Sequence, residues 1–213
     1  SRVASIDLIR GAVMILMAID HVRVYSGLPA GGPTAGIFFT RWITHFVAPA
    51  FVFLAGTSAY LRGRSHPGLS KYLLTRGLWL VVLELTVTRV AWTFNFDFAN
   101  YMLAGVIWVI GWCMILMAAL VHLPVRVIGA IGIAIVALHN IADFFPSDAE
   151  PNSLLKLLYF GGPINGTPLI VLYVIIPWIG VMMCGYAFAE HRSIALKLGV
   201  AMTLAFIVLR AIG

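Results

Sequence analysis

Two stretches of this chain carry side chains suited to chemistry within otherwise apolar sequence. The first reads Ser5-Ile6-Asp7-Leu8-Ile9-Arg10-Gly11, then an apolar run from Ala12 to Ile19, then Asp20-His21-Val22-Arg23. Arg10 and His21 are eleven residues apart, close to three helical turns, so they share one face roughly 16 Å apart along the axis. Met14 and Met17 fall on that face between them. The second stretch holds Arg41 and His45, four apart and again on one helical face. A guanidinium binds anions, and an imidazole, with an ordinary pKa of about 6.5, moves protons near neutral pH. The first stripe reads as a route that begins at a cation and ends in chemistry at an imidazole.

These side chains must be positioned by membrane helices. Of 213 residues, 62% are hydrophobic and 10% charged, whereas a soluble domain is nearer half apolar and a quarter charged. Several runs approach the ~20 apolar residues that cross a bilayer. The expected fold is all-α, a polytopic transmembrane helical bundle of about seven helices forming a single domain over residues 1–213. The spans fall near 6–25, 37–61, 70–94, 101–122, 125–142, 168–189 and 194–212. The connection after the first is rich in Gly and Pro, the longest connection is 143–167, and Pro177 is expected to kink the sixth span.

Lys and Arg set the orientation. With the N-terminus cytoplasmic, nine of them (Arg2, Arg10, Arg62, Arg64, Lys71, Arg76, Arg126, Arg192 and Lys197) fall inside and three (Arg23, Lys156 and Arg210) outside. This is a positive-inside bias, so the net charge of +6 is a topology signal and no nucleic-acid partner is expected. No cleavable leader is expected. Cys113 and Cys184 lie in apolar runs and read as small core residues.

In this orientation the buried ionisable residues gather toward the outer side. Asp20, His21 and Arg23 end the first span, and Arg41 and His45 lie in the outer half of the second. Glu84 and Arg89 lie in the third, Asn95 and Asp97 follow it, and His139, Asn140 and Asp143 end the fifth. An ionisable residue deep in a membrane helix costs about 2.5–3.5 kcal/mol on insertion scales and marks a functional site by default. The blander readings are a buried ion pair of Glu84 with a nearby Arg that fixes packing, Arg23 and Arg210 snorkelling to the interface, and His66, His122 and His191 as loop histidines. Trp79, Trp92, Trp108, Trp112 and Trp178 read as packing or interface anchors. A transporter or proton pathway would also use such residues, but they crowd toward one face and no paired repeats are evident. A haem or metal held by His21, His45 and His139 is a further reading. No HExxH or CxxCH motif supports it, and no metal is expected.

The opening from Arg2 to Gly11, with its helix ending in Asp20-His21, resembles the start of the membrane acyltransferases related to heparan-α-glucosaminide N-acetyltransferase. The run from Phe39 to Gly56, through Arg41-Trp42-Ile43-Thr44-His45-Phe46-Val47-Ala48-Pro49, resembles a second hallmark of the bacterial branch. Ile176-Pro177-Trp178-Ile179-Gly180-Val181, with Gly185-Tyr186, resembles a third. The Arg10-to-His21 spacing is similar to the arginine–histidine motif of the broader membrane O-acyltransferases.

The resemblance implies a multi-pass, acyl-CoA-dependent acyltransferase of a bacterial inner membrane. Its donor is cytoplasmic acyl-CoA, expected to be acetyl-CoA, and its acceptor a sugar or glycan amine or hydroxyl on the extracytoplasmic side. On that reading His21 is the first choice as base. Asp20 is its neighbour but points about 100° around the helix, so Asp97 or Asp143 is the better candidate to orient it. Arg41 and His45 would meet the oxyanion or the acceptor. Asn95, Asp97, His139, Asn140 and Asp143 would hold the sugar, and Arg10, Arg62, Arg64, Lys71 and Arg76 the phosphates of CoA, with the pantetheine arm passing Met14 and Met17.

The chain also departs from the family pattern. The lysosomal enzyme has a functional histidine in the loop after its first helix, and the stretch Val24 to Gly36 has none. His21 stands where that enzyme has an asparagine, so the catalytic histidine lies between His21 and His45. Family members also usually continue with further C-terminal helices, where some of the site is expected to lie. Assembly as a homo-oligomer, and service as a non-catalytic subunit of a larger complex, stay open.

Overall fold

A computed structural model describes residues 4–27, 34, 36–37, 40, 45–144, 151–190 and 197. Helix α1 (Ala4–Tyr25) has Asp7 in its first turn and Arg23 in its last, which complements the helix dipole. Helix α2 (Val47–Ser65) stops at His66, whose extended backbone donates its N–H to Arg62 O. Pro67 follows and prevents continuation. Gly68, in the left-handed region at φ 75°, turns the chain into α3 (Leu69–Leu83).

From α3 the helical path widens into a π-helical turn, Glu84–Thr88, and resumes as α4 (Arg89–Thr93). Residues 69–93 are therefore helical without a break. Beyond lie strand β1 (Met102–Ala104), α5 (Val106–Leu120), α6 (Val125–Leu138) and a 3-10 turn, His139–Phe144. A second wide turn (Lys156–Phe160), strands β2 (Gly162–Pro163) and β3 (Leu169–Val171), and α7 (Ile175–Phe188) complete the described chain. The strands form a small sheet in the order β1-β3-β2, with β1 parallel and β2 antiparallel to β3 and Met102 opposite Leu169.

Three helix pairs make the bundle: α3 with α5, α2 with α7, and α6 with α7. Glycines let each pair approach closely. A Cβ on Gly77 would stand 2.6 Å from Gly111 O, and one on Gly111 would stand 2.8 Å from Gly77 O. Gly132 and Gly180 face each other in the same way, at 3.0 Å each, while Gly56 and Gly185 press on the α7 and α2 backbones. Leu73, Val109, Cys113, Met117, Ile128 and Met182 fill the core. Outward faces remain apolar: Leu8 is 77% exposed, Val22 68% and Ile15 66%.

The architecture departs from the expected all-α bundle in particular places. Residues 102–104 and 169–171, expected at the ends of spans, pair as strands. Short apolar runs do not declare helix or strand by periodicity. Pro177 opens α7 from within its first turn, where its missing N–H costs nothing, and does not kink a longer helix. The connection 143–167 contains helical turns and a strand. Among the described residues no helix is long and apolar enough to cross a membrane. The 22-residue α1 carries Asp7, Arg10, Asp20 and Arg23, and the path 69–93 runs as two shorter α-helices joined by a π-helical turn. The expected seventh span, 194–212, lies outside the described residues.

Candidate functional site

At one end of the bundle α1, α2, α3 and α5 enclose a cavity of about 340 Å3. Arg10, Arg62 and Arg76 line it, and among the described residues no carboxylate does. The Arg62 guanidinium stands 3.9 Å from the centroid of the Tyr72 ring, and that of Arg76 5.5 Å from the same ring. Arg10 donates to Ser58 Oγ and lies 3.8 Å from Asp7. The Nε of Arg62 is buried without a hydrogen-bond partner. Three like charges around one cavity repel one another and attract an anion. Between and below them the walls are apolar, made by Ala55, Leu73, Leu80, Ile110 and Met114.

Of the five cations grouped in the sequence, the structure brings together Arg10, Arg62 and Arg76. Arg64 lines a different cavity, because residues two apart on a helix point about 200° apart. Lys71 is exposed and lines neither cavity. The floor comes from α3 and α5 and not from Met14 and Met17; Met14 is 56% exposed.

Toward the other end of α1, His21 meets Trp92 of α4 edge-on, with ring centroids 4.8 Å apart and planes at 75°. Tyr25 stacks on the same indole at 5.0 Å and 11°. His21 is half-buried, and neither ring nitrogen has a hydrogen-bond partner among the described residues. Asp20 turns to Arg23, accepting from its guanidinium at 2.7 Å. Arg23 is only 7% exposed, so it is buried against the bundle and does not snorkel. His45 is exposed just before α2. Arg41 and the Asp143 side chain lie outside the described residues.

Arg89 organises the loop that follows α4. It is 2% exposed and donates Nε to Tyr101 O at 3.0 Å and its terminal nitrogens to Asn95 O and Asp97 O. Its guanidinium lies 4.7 Å from the Phe98 ring. Among the described residues Glu84 forms no ion pair with an Arg, and Arg89 spends its donors on loop carbonyls. Glu84 instead faces Thr88 and the Gly105 amide at the start of α5, where a carboxylate suits the helix N-terminus. A Cβ on Gly105 would overlap Glu84 Oε1. Gly105→Ala is expected to cost about 1–3 kcal/mol by overpacking, read as a lower thermal midpoint. Adding Glu84→Ala should recover part of that loss, since the two changes share one contact.

Within the loop, Asp97 N–H donates to Asn95 Oδ1 at 3.0 Å and Asn100 Nδ2 donates to Asp97 Oδ2 at 2.7 Å. The Asn100 amide holds the Asp97 carboxyl below the usual carboxylate range. His139 Nδ1 is 2.7 Å from Val136 O, and His139 O accepts from the Tyr159 hydroxyl. Asn140 is exposed beside it. The structure thus joins Asn95 and Asp97 in one loop and ties His139 to its own helix and to Tyr159. Ser58, Tyr72 and Trp92 are site residues that spacing did not single out. Only the mid-helix serine and the aromatics near basic residues hinted at them. Among the described residues no three of His, Cys, Asp or Glu gather to hold a metal ion.

Fold and site define a helical protein with an arginine-lined cavity at one end of its first helix and, toward the other, an imidazole without a hydrogen-bond partner among the described residues. Residues 2–211 match the heparan-alpha-glucosaminide N-acetyltransferase catalytic family, and the chain belongs to that family. It is an acetyltransferase-type protein. No curated protein and no solved structure matches it.

Proposed function

We propose that this chain is a multi-pass enzyme of a bacterial inner membrane, with its N-terminus cytoplasmic, that binds acetyl-CoA in the Arg10–Arg62–Arg76 cavity. It transfers the acetyl group to an amine or hydroxyl of a sugar or glycan on the extracytoplasmic side. The carrying observation is three guanidiniums around a cavity with an apolar floor and, among the described residues, no carboxylate. Guanidinium forks suit phosphate oxygens, and the slender pantetheine arm suits the strip of Leu80, Ile110 and Met114.

Several features support the membrane reading. Large aliphatic side chains are exposed along α1, and glycines mediate the helix contacts, as small residues do between helices in lipid. The helical path 69–93 also has bilayer length at 1.5 Å per residue.

From Arg10 the donor must reach along α1 for roughly 16 Å to bring its thioester to His21. His21 then takes the proton from the acceptor nitrogen or oxygen as it attacks the thioester carbonyl. The new C–N or C–O bond forms, the C–S bond breaks, and the sulfur leaves as the CoA thiolate and is protonated. Asn95, Asp97, His139 and Asn140 offer hydrogen bonds to the sugar, with Arg41, His45 and Asp143 as further candidates near the acceptor.

The test is acetyl transfer and CoA release by the purified protein in detergent, with glucosamine as trial acceptor. Arg62→Gln and Arg76→Gln should each raise the KM for acetyl-CoA about tenfold, the value of one charge-assisted hydrogen bond of about 1.4 kcal/mol, with kcat nearly unchanged. A KM for acetyl-CoA that neither change moves rules this cavity out as the donor site.

A further inference from the structure

Across the α2–α3 hairpin from the donor cavity lies a second one, of about 410 Å3. The end of α2, the start of α3, the α5–α6 connection and Tyr186 of α7 line it, and it is open to the surface, with Arg64, His66 and His122 exposed at its rim. Arg64, His66 and His122 line it, and again no carboxylate does among the described residues. Its wall includes Tyr60 and Tyr186, which meet edge to face at 5.4 Å. Each is 7% exposed, and neither hydroxyl has a hydrogen-bond partner among the described residues.

The start of α3 adds to this donor surface. Gly68 provides no side-chain cap, so the first amides of the helix lack acceptors. Ser70 is spent elsewhere, its hydroxyl donating to Ala118 O at 2.6 Å. The Arg64 guanidinium rests 6.0 Å from the Tyr60 ring centroid. The lining is thus a set of donors and cations without an acceptor group of opposite charge.

We propose that this cavity binds a phosphate-bearing anion, at a site separate from the acetyl donor. Arg64 supplies the fixed charge, His66 and His122 supply ring N–H donors, and the Tyr60 and Tyr186 hydroxyls complete the shell around the phosphate oxygens. The volume exceeds that of a bare phosphate and leaves room for an ester substituent. Two sources carry this chemistry: the headgroup of an anionic phospholipid at the basic end of the bundle, or a free phosphate. Either would clasp the α2–α3 turn to the α5–α6 turn and to α7.

The test uses the full chain purified in neutral detergent. Inorganic phosphate, phosphatidylglycerol and phosphatidylcholine are added separately. Adducts are counted by native mass spectrometry, and the thermal midpoint is followed. One retained adduct and a raised midpoint are expected with an anion and not with phosphatidylcholine. A response to phosphate assigns the free anion, and a response to phosphatidylglycerol alone assigns the lipid. His66→Gln/His122→Gln should weaken binding at least about tenfold, the scale of one charge-assisted contact. Tyr186→Phe, which keeps the ring packing, should weaken it in the same direction and serves where the double variant does not fold.

Binding must survive Arg10→Gln/Arg76→Gln, which disables the donor cavity. Loss of the adduct in that variant would place the anion there and overturn the second site. Failure of the wild type to bind either anion, or undiminished binding in both cavity variants, overturns it equally. None of these outcomes depends on whether acetyl-CoA is the donor.

Discussion

His21→Ala should lower acetyl transfer by roughly 10²–10⁴-fold, the usual worth of a positioned general base, while acetyl-CoA still binds. His21 sits near the opposite end of α1 from Arg10, half-buried, with both ring nitrogens unpartnered among the described residues. The Trp92 indole fixes one side of the imidazole edge-on, and Tyr25 packs on that same indole. The ring is thus held by packing while its nitrogens stay available for a proton. Asp20 does not compete for it, because its carboxylate is taken by Arg23. Transfer is measured as acetylated glucosamine and binding as protection from thermal unfolding by acetyl-CoA. A His21→Ala protein that still transfers, alongside an inactive His45→Ala, would move the base to the start of α2. Trp92→Ala offers a graded check. It frees the imidazole without removing it, so kcat should fall less than in His21→Ala.

The sequence made the helical segments legible because long apolar runs leave few alternatives. The first segment, expected at 6–25, is α1 at Ala4–Tyr25, and the fifth, expected from 125, begins as α6 at Val125. Pairing was less legible. Spacing along α1 put Arg10 and His21 on one face, but nothing local could say that Trp92, 71 residues after His21, would meet it. The five cations were grouped only by their expected cytoplasmic side, and the helical angle sends Arg62 and Arg64 to different cavities. Glu84 and Arg89 are both costly to bury, and the sequence offered Glu84 only a nearby Arg as a partner. Their actual partners are the backbone at Gly105 and the carbonyls of Asn95, Asp97 and Tyr101. A sequence displays side-chain charges and hides the backbone groups that a turn or a helix end turns inward, and those groups decided both cases.

Arg89→Leu should destabilise the protein by about 2–4 kcal/mol, from the loss of charge-assisted bonds to three carbonyls, a large share of the ~5–15 kcal/mol that holds a typical domain folded. The arginine is 2% exposed and reaches Tyr101, Asn95 and Asp97 at once, with Phe98 covering its guanidinium. Leucine fills part of the volume but donates nothing. Arg89→Lys keeps the charge, yet one ammonium cannot reproduce the planar fork that addresses three separated carbonyls, so it should rescue only a minor part of the loss. The kinetic signature separates this role from general fragility. Asn95 and Asp97 ride on the loop that Arg89 anchors, whereas the donor cavity is lined by other residues. In Arg89→Lys at a temperature where the protein is folded, the KM for glucosamine should rise and the KM for acetyl-CoA should hold. Thermal midpoints and proteolytic cleavage within 94–101 measure the first effect, and steady-state kinetics the second. Wild-type stability in Arg89→Lys would show that charge alone holds the loop. An equal rise in both KM values would show that the loop and the donor cavity are not independent.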